Sequence, residues 1–326
     1  MSEQCFKNNS ISSYNYEAFG LNFDSQIILP ELARAIGKMG DVRINYGDVP
    51  KQVESPIEET HYYQASSDEF LLRVDGVATF YVDKGEQIIV KTCNSANPKL
   101  VRLYLLGTVM GILLMQRGIL PIHGSTVDIN SCGVLFTGIS GAGKSTIAAA
   151  LHKRGYLLLA DDVSVLTCAQ GRFQVQPGYP QQKLWPDSAA MLGIDTTTSS
   201  RVAEGRDKCV VPVYERFSRL PLPIIVIYQI VVQPCNDISI LPLRGAVKLA
   251  TIMGNTYRAE FINCLGKKFS HFKQCADLAK QVQVFRLTRP ANRMLLDRQI
   301  ETVLKHYTET YSNGINDRFK GRNVDI

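Results

Sequence analysis

The sequence predicts an α/β protein in which a phosphate-binding-loop core follows a β-rich N-terminal domain. Three observations carry that expectation. Residues 138–146 read GISGAGKST and follow the strand-like run Gly133-Val134-Leu135-Phe136-Thr137. A second apolar run, Tyr156-Leu157-Leu158-Leu159-Ala160, ends in the acidic pair Asp161-Asp162. Most of the first hundred residues lack helical periodicity and carry short apolar segments bounded by turn residues.

The elements follow in order. Phe70-Leu71-Leu72-Arg73-Val74, Thr79-Phe80-Tyr81-Val82 and Gln87-Ile88-Ile89-Val90-Lys91 read as a meander that turns at Asp75-Gly76 and at Asp83-Lys84-Gly85-Glu86. An apolar helix from Leu100 to Arg117, entered after Asn97-Pro98, links the two domains. Its most membrane-like part, Leu103 to Met115, has thirteen residues, fewer than the roughly 20 a spanning helix needs, so a buried core helix and no membrane partner are expected. From about Gly118 the pattern gives a strand at Ser125–Ile129, a turn at Asn130-Ser131-Cys132-Gly133, a strand at Val134–Thr137 and the glycine loop. A helix over Ser145–Arg154 stops at Gly155, the position after a helix that favours glycine. Further strands are expected at Val163–Thr167, Phe173–Val175 and Ile224–Val232, the last apolar throughout as a buried strand is. The stretch from Arg244 to Tyr307 reads as mainly helical with a strand at Val282–Leu287. The domains are therefore 1–117, 118–312 and a polar tail, 313–326, with too little apolar surface to order itself.

Composition limits the function classes. Hydrophobic residues make up 45% of the chain and charged residues 20%, with a net charge of +6 spread along it. No clustered basic stripe points to a nucleic-acid partner. Eight cysteines (Cys5, Cys93, Cys132, Cys168, Cys209, Cys235, Cys264 and Cys275) include no C-x-x-C pair and no zinc-type spacing, as expected of reduced thiols in a cytoplasmic protein. The opening MSEQCFKNNS has neither a basic start nor an apolar core, so no secretory signal is expected.

The chemistry concentrates in the glycine loop. Gly138, Gly143, Lys144 and Ser145 keep the Gly-x4-Gly-Lys-Ser spacing, in which backbone N–H groups cradle phosphates, the lysine reaches the β- and γ-phosphates and the serine hydroxyl ligates Mg²⁺. The nucleotide site is thus residues Gly138, Ile139, Ser140, Gly141, Ala142, Gly143, Lys144, Ser145 and Thr146, with ATP or GTP and Mg²⁺ as cofactors. Asp161 and Asp162 follow Lys144 by seventeen and eighteen residues, room for one helix and one strand. If the two strands are parallel neighbours, their carboxyl ends share the ligand-binding edge of the sheet. Phosphoryl transfer needs one carboxylate for Mg²⁺ and one for the incoming hydroxyl. His123, fifteen residues before the loop and beside Gly124, is a candidate only in that company.

The stretch from His123-Gly124-Ser125-Thr126-Val127-Asp128 through the glycine loop, then Arg154-Gly155-Tyr156 and Ala160-Asp161-Asp162, resembles the catalytic domain of the HPr kinase/phosphorylase family in order and spacing. That family shares its phosphate-loop core with phosphoenolpyruvate carboxykinases and phosphorylates a serine of a small carrier protein. The resemblance implies that Asp161 is the general base, that Asp162 and Ser145 hold the metal, that Lys144 serves the phosphates and that His123 supports the acidic pair. The downstream Glu-x-Arg segment linked to dephosphorylation is missing, with Arg201-Val202-Ala203-Glu204-Gly205-Arg206 a remnant at best, which argues against phosphorolysis. Nearly the whole chain, including Leu103–Leu120, residues 178–186 (GYPQQKLWP) and Asn255-Thr256-Tyr257-Arg258, resembles the HPr-kinase-like proteins of lasso peptide clusters. That resemblance implies a peptide substrate with an acceptor serine; a homo-oligomer is also compatible with it.

Lys183 and Trp185, between two prolines, form either an acceptor-binding lip or a segment packed down by its tryptophan. Arg206, Lys208 and Arg258 are candidates for a phosphate clamp. His61, His152, His271 and His306 have no partner in the sequence and read as structural. The rival readings are a bifunctional carrier-protein kinase/phosphorylase, a small-metabolite kinase and a nucleotide-gated binding module, which needs no base beside Mg²⁺.

Overall fold

The computed structural model of the 326-residue chain describes residues 13–196, 201–203, 206–291 and 295–311. Cys5, Glu204, Gly205 and the tail 313–326 lie outside the described residues, as does the side chain of Arg206. The chain is mixed α/β and forms two compact units, Met1–Leu120 with Glu260–His271, and Pro121–Ala259 with Phe272–Ile326. The late segment joins the first unit through Phe261, whose ring meets Phe70 at 5.2 Å and Tyr63 at 5.1 Å. Nothing local in the sequence marks that long-range contact.

The first unit is built on one nine-stranded sheet. Its strands are β1 (Tyr14–Ala18), β2 (Leu21–Ser25), β3 (Ala33–Arg34), β4 (Val42–Tyr46), β5 (Glu58–Glu59), β6 (Tyr63–Ala65), β7 (Glu69–Val74), β8 (Ala78–Asp83) and β9 (Gln87–Thr92). They lie in the order β3-β1-β2-β4-β9-β8-β7-β6-β5. The expected meander is β7-β8-β9, paired antiparallel throughout. Alternate residues of β8 are buried, so one face of the pleat meets the core.

A continuous helical run follows: α1 (Pro98–Tyr104), a π turn at Leu105–Val109 and α2 (Met110–Gln116). Asn97 starts it, its side chain accepting from the Lys99 N–H at 2.9 Å with Pro98 in the first turn. This corrects the thirteen-residue count. Pro98–Gln116 spans 19 residues and is long and apolar enough by length and composition to cross a membrane. Leu105, Val109, Ile112, Leu113 and Leu114 are nonetheless fully buried within the protein.

The second unit carries the glycine loop. Its strands are β10 (Leu120–Ile129), β11 (Cys132–Thr137), β12 (Leu157–Ala160), β13 (Val163–Ala169), β14 (Arg172–Gln176), β15 (Gln181–Leu184), β16 (Arg201–Ala203), β17 (Arg206–Pro212), β18 (Leu222–Gln233), β19 (Ser239–Leu243) and β20 (Gln283–Pro290). The chain's remaining α-helices are α3 (Lys144–Lys153), α4 (Pro186–Met191), α5 (Gly245–Gly254), α6 (Lys268–Gln281) and α7 (Leu296–Tyr311). An eight-stranded sheet runs β11-β10-β13-β14-β18-β20-β19, with β12 beside β10, and β15-β17-β16 form a smaller sheet. Strands β11, β18 and β20 are parallel to one another. Their register aligns Phe136, Tyr228 and Phe285, whose rings stack at 5.7 and 5.8 Å.

The expected neighbour relation of β11 and β12 is not observed. Strand β10 lies between them, antiparallel to both, pairing Gly124 with Thr137 and Thr126 with Ala160. Two reversals leave β11 and β12 running the same way, so their carboxyl ends still reach one edge. Helix α3 ends as its sequence predicts: Gly155 takes φ +103° and the Tyr156 N–H closes back on the Leu151 carbonyl at 3.2 Å.

Candidate functional site

The glycine loop joins β11 to α3 at the carboxyl edge of the parallel strands. Gly138 has φ +138°, and a Cβ there would fall 2.6 Å from the Ile230 carbonyl oxygen of β18, so only glycine lets the loop leave the sheet so closely. Helix α3 begins at Lys144 with no side-chain cap and no acidic residue in its first turn. Its leading N–H groups and dipole are thus disposed toward an anion.

Lys144 is 7% exposed and its ammonium donates to the carbonyls of Gly138 at 2.8 Å and Ile139 at 3.0 Å. Burial, reinforced by the charge of Lys208, lowers its pKa to about 8. Ala142 is buried, whereas Ile139, Ser140 and Gly141 are exposed. Thr146 shares a hydrogen bond with Ser188 of α4 at 3.0 Å, fixing the first turn of α3.

The acidic pair divides sharply. Asp161 is 7% exposed and both its oxygens are occupied: Ser125 Oγ–H donates to Oδ1 at 2.6 Å and the Lys183 backbone N–H to Oδ2 at 2.8 Å. Asp162 sits at φ +69°, a left-handed conformation that is uncommon for a side chain larger than glycine. Its carbonyl accepts from His123 Nδ1 at 2.9 Å and from the Gly124 N–H at 3.3 Å. Its carboxylate meets Lys183 Nζ at 2.9 Å and lies 3.7 Å from His123 Nδ1. Burial by itself would raise the Asp162 carboxyl, but the charge and hydrogen bond of Lys183 hold it well below the usual carboxylate range.

His123 and Gly124 both lie inside β10, and the His123 backbone N–H donates to the Asn255 carbonyl at 2.8 Å. Because a carbonyl oxygen only accepts, the contact with Asp162 assigns the ring proton to Nδ1. Burial, helped by the charge of Lys144, lowers the His123 pKa and favours the neutral ring.

One pocket gathers these groups. It is lined by His123, Gly141, Gly143, Lys144, Ser145, Thr146, Asp162, Lys183, Leu184, Trp185, Ser188 and Lys208. Three lysines against one carboxylate favour an anionic ligand. Asp161 is not among the lining residues. Lys183 is no surface lip: its amine is committed to Asp162 while its backbone holds Asp161. Trp185 is 43% exposed and carries Lys208 Nζ 5.6 Å above its ring. Arg258 lies 5.5 Å over the Tyr257 ring and does not line the pocket. Two contributors had no local signal in the sequence, Ser125 as the partner of Asp161 and Arg289, whose Nε–H reaches the Ala142 carbonyl from β20 at 3.1 Å.

Comparison with known proteins bears on this region. Residues 119–179 match the family model described as the HPr Serine kinase C-terminal domain. The chain is 59% identical over 44 residues to the HPr kinase/phosphorylases of Pelodictyon phaeoclathratiforme and Chlorobium luteolum, 14% of this chain and 13% of each relative. That of Listeria monocytogenes is 54% identical over 44 residues, 14% of either chain. The match therefore spans about one seventh of the length of these curated relatives. The solved Hpr(Ser) kinase/phosphatase from Coxiella burnetii aligns over 59% of this chain and 94% of its own, at 14% identity and a TM-score of 0.31. That score is too low to carry an argument. The matched residues take in His123, the glycine loop and the acidic pair. Lys183, Trp185, Lys208 and Arg289 lie outside them.

Proposed function

We propose that this chain is a kinase with an HPr-kinase-like phosphate-loop core, transferring the γ-phosphate of ATP or GTP to a serine hydroxyl of a peptide or protein. The observation that carries the reading is the convergence of Lys144, Ser145 and Asp162 with Lys183 and Lys208 in one pocket, much of it in the segment that matches a serine-kinase family model.

The residues present fit Mg²⁺. Ser145 supplies a hydroxyl and Asp162 a carboxylate to the same pocket. Among the described residues no group of three or more acidic, histidine or cysteine side chains forms a cage, which suits an ion held largely by phosphate oxygens and water. Bound there, Mg²⁺ would neutralise charge on the β- and γ-phosphates.

Asp162 is the carboxylate we assign to the acceptor hydroxyl, in place of Asp161, because Asp162 lines the pocket whereas Asp161 does not and already accepts a hydrogen bond on each oxygen. A carboxylate kept ionised by Lys183 is a weak base, yet it suffices to orient a hydroxyl in a loose transition state with little bond formation to the nucleophile. His123 steadies the left-handed turn that presents it. Lys144 and Lys208 attract the phosphates, and Trp185 offers an apolar edge at the mouth.

Two acceptors are open to this chemistry. The chain-wide resemblance favours a short precursor peptide, whereas the names of the curated relatives favour a carrier protein of the HPr type. Mass spectrometry after incubation with ATP-Mg²⁺ separates them: one added phosphate on a peptide, lost when its serine becomes alanine, supports the peptide reading. Transfer to folded HPr alone supports the carrier reading. Nucleotide binding with no transfer to either would leave the binding-module reading in possession.

A further inference from the structure

Arg289 stands at the carboxyl end of β20, next to the parallel strand β18 that flanks β11. It is 8% exposed. Its guanidinium donates from Nε to the Ala142 carbonyl at 3.1 Å and from Nη1 to the Pro290 carbonyl at 3.1 Å. No carboxylate among the described residues pairs with it. Among the described residues the partners of this buried cation are neutral carbonyls, which makes it costly to maintain, and burial lowers its pKa.

The peptide geometry gives this contact a direction. The Ala142 carbonyl and the Gly143 N–H belong to one planar trans peptide, so they point to opposite sides. Holding the carbonyl on the Arg289 side turns the Gly143 N–H to the other side of the loop. Gly143 lines the pocket and Arg289 does not, which places the arginine behind the loop. Its nitrogens would lie 3.8 and 4.0 Å from a Cβ on Gly143, near enough for its charge to add to the field over the loop.

We propose that Arg289 is a positioning residue of the phosphate site: it sets the Ala142–Gly143 peptide so that the loop N–H faces the phosphates, and the bound anion compensates its buried charge. This rests on the phosphate-loop reading of residues 138–145. Lysine keeps the charge but not the fork, so R289K and R289Q separate the two contributions.

The experiment titrates the full chain with inorganic tripolyphosphate by calorimetry, alongside ATP-Mg²⁺ kinetics, with folding followed by circular dichroism. R289Q should weaken tripolyphosphate binding about tenfold or more and R289K about threefold, each raising the KM for ATP in step with kcat nearly kept. In the K144A background the R289Q loss should shrink, because both residues serve one anion site. A folded Arg289 variant that binds tripolyphosphate within twofold of the parent, or failure of both variants to fold, would overturn the proposal. K144A binding tripolyphosphate as the parent does would instead overturn the phosphate-loop reading itself.

Discussion

Asp161 and Asp162 are adjacent in sequence and opposite in environment. Asp161 accepts from Ser125 and from the Lys183 backbone, whereas Asp162 faces Lys144, Lys183 and His123 across the pocket. Replacing Asp162 by Asn should cut transfer by about 10²–10⁴-fold and raise the Mg²⁺ concentration that transfer requires, because the same carboxylate orients the acceptor hydroxyl and serves the metal. Replacing Asp161 by Asn leaves one of its two donors, the buried Ser125 hydroxyl or the part-buried Lys183 N–H, facing an amide NH2. It should lower the urea midpoint, with a smaller loss of transfer that follows stability. Steady-state kinetics and urea unfolding of both variants check the division. Deep loss of transfer in D161N at an unchanged midpoint would assign the proton to Asp161. The sequence shows that a carboxylate pair follows the strand; it does not show which member faces inward, because the positive φ of Asp162 breaks the strand alternation that would have told them apart.

At the scale of elements, the legible parts are those whose signal is local. Strands β7 to β9, β11 to β14, β18 and β20 are visible as apolar runs between turn residues, and α3 is bounded by the glycine loop and Gly155. The short strands β15 to β17 are not. Their sequences, QQKL, RVA and RDKCVVP, carry no polar–apolar alternation, and their pairing joins segments far apart in the chain, such as Lys183 with Val210. Lys183 and Lys208, both candidates from the sequence, are brought to one pocket through that pairing, which no local signal shows. Beneath the loop the register is set by the Phe136, Tyr228 and Phe285 stack, closed by His306, whose ring meets Phe285 at 4.4 Å and whose Nδ1 shares a 2.8 Å hydrogen bond with Tyr228. Phe285→Ala should cost about 3–5 kcal/mol by leaving a cavity in that stack. Urea unfolding measures it, and a loss under about 1 kcal/mol would mean that the stack does not fix the parallel strands.

At the scale of the molecule, the second unit builds the proposed phosphate site from converging ends: the β11 loop, the turn after β12, β15, β17 and β20 all deliver residues to the loop or its pocket. The charge balance of that pocket makes the central claim measurable through Lys144. Its pKa in the protein is about 8, below the ordinary lysine value of 10.5, so its ammonium gives up its proton as pH rises through 8. A triphosphate beside it favours the charged form. Binding should therefore take up a proton at pH 8.5, uptake should vanish toward pH 6.5, and affinity should fall as pH rises past 8. Calorimetry of ATP-Mg²⁺ at pH 8.5 in two buffers of different ionisation enthalpy, on the parent chain and on Lys144→Ala, tests this most directly. The account predicts net proton uptake in the parent, with both uptake and most of the affinity lost in the variant; equal affinity in the two proteins with no proton uptake in either would contradict it.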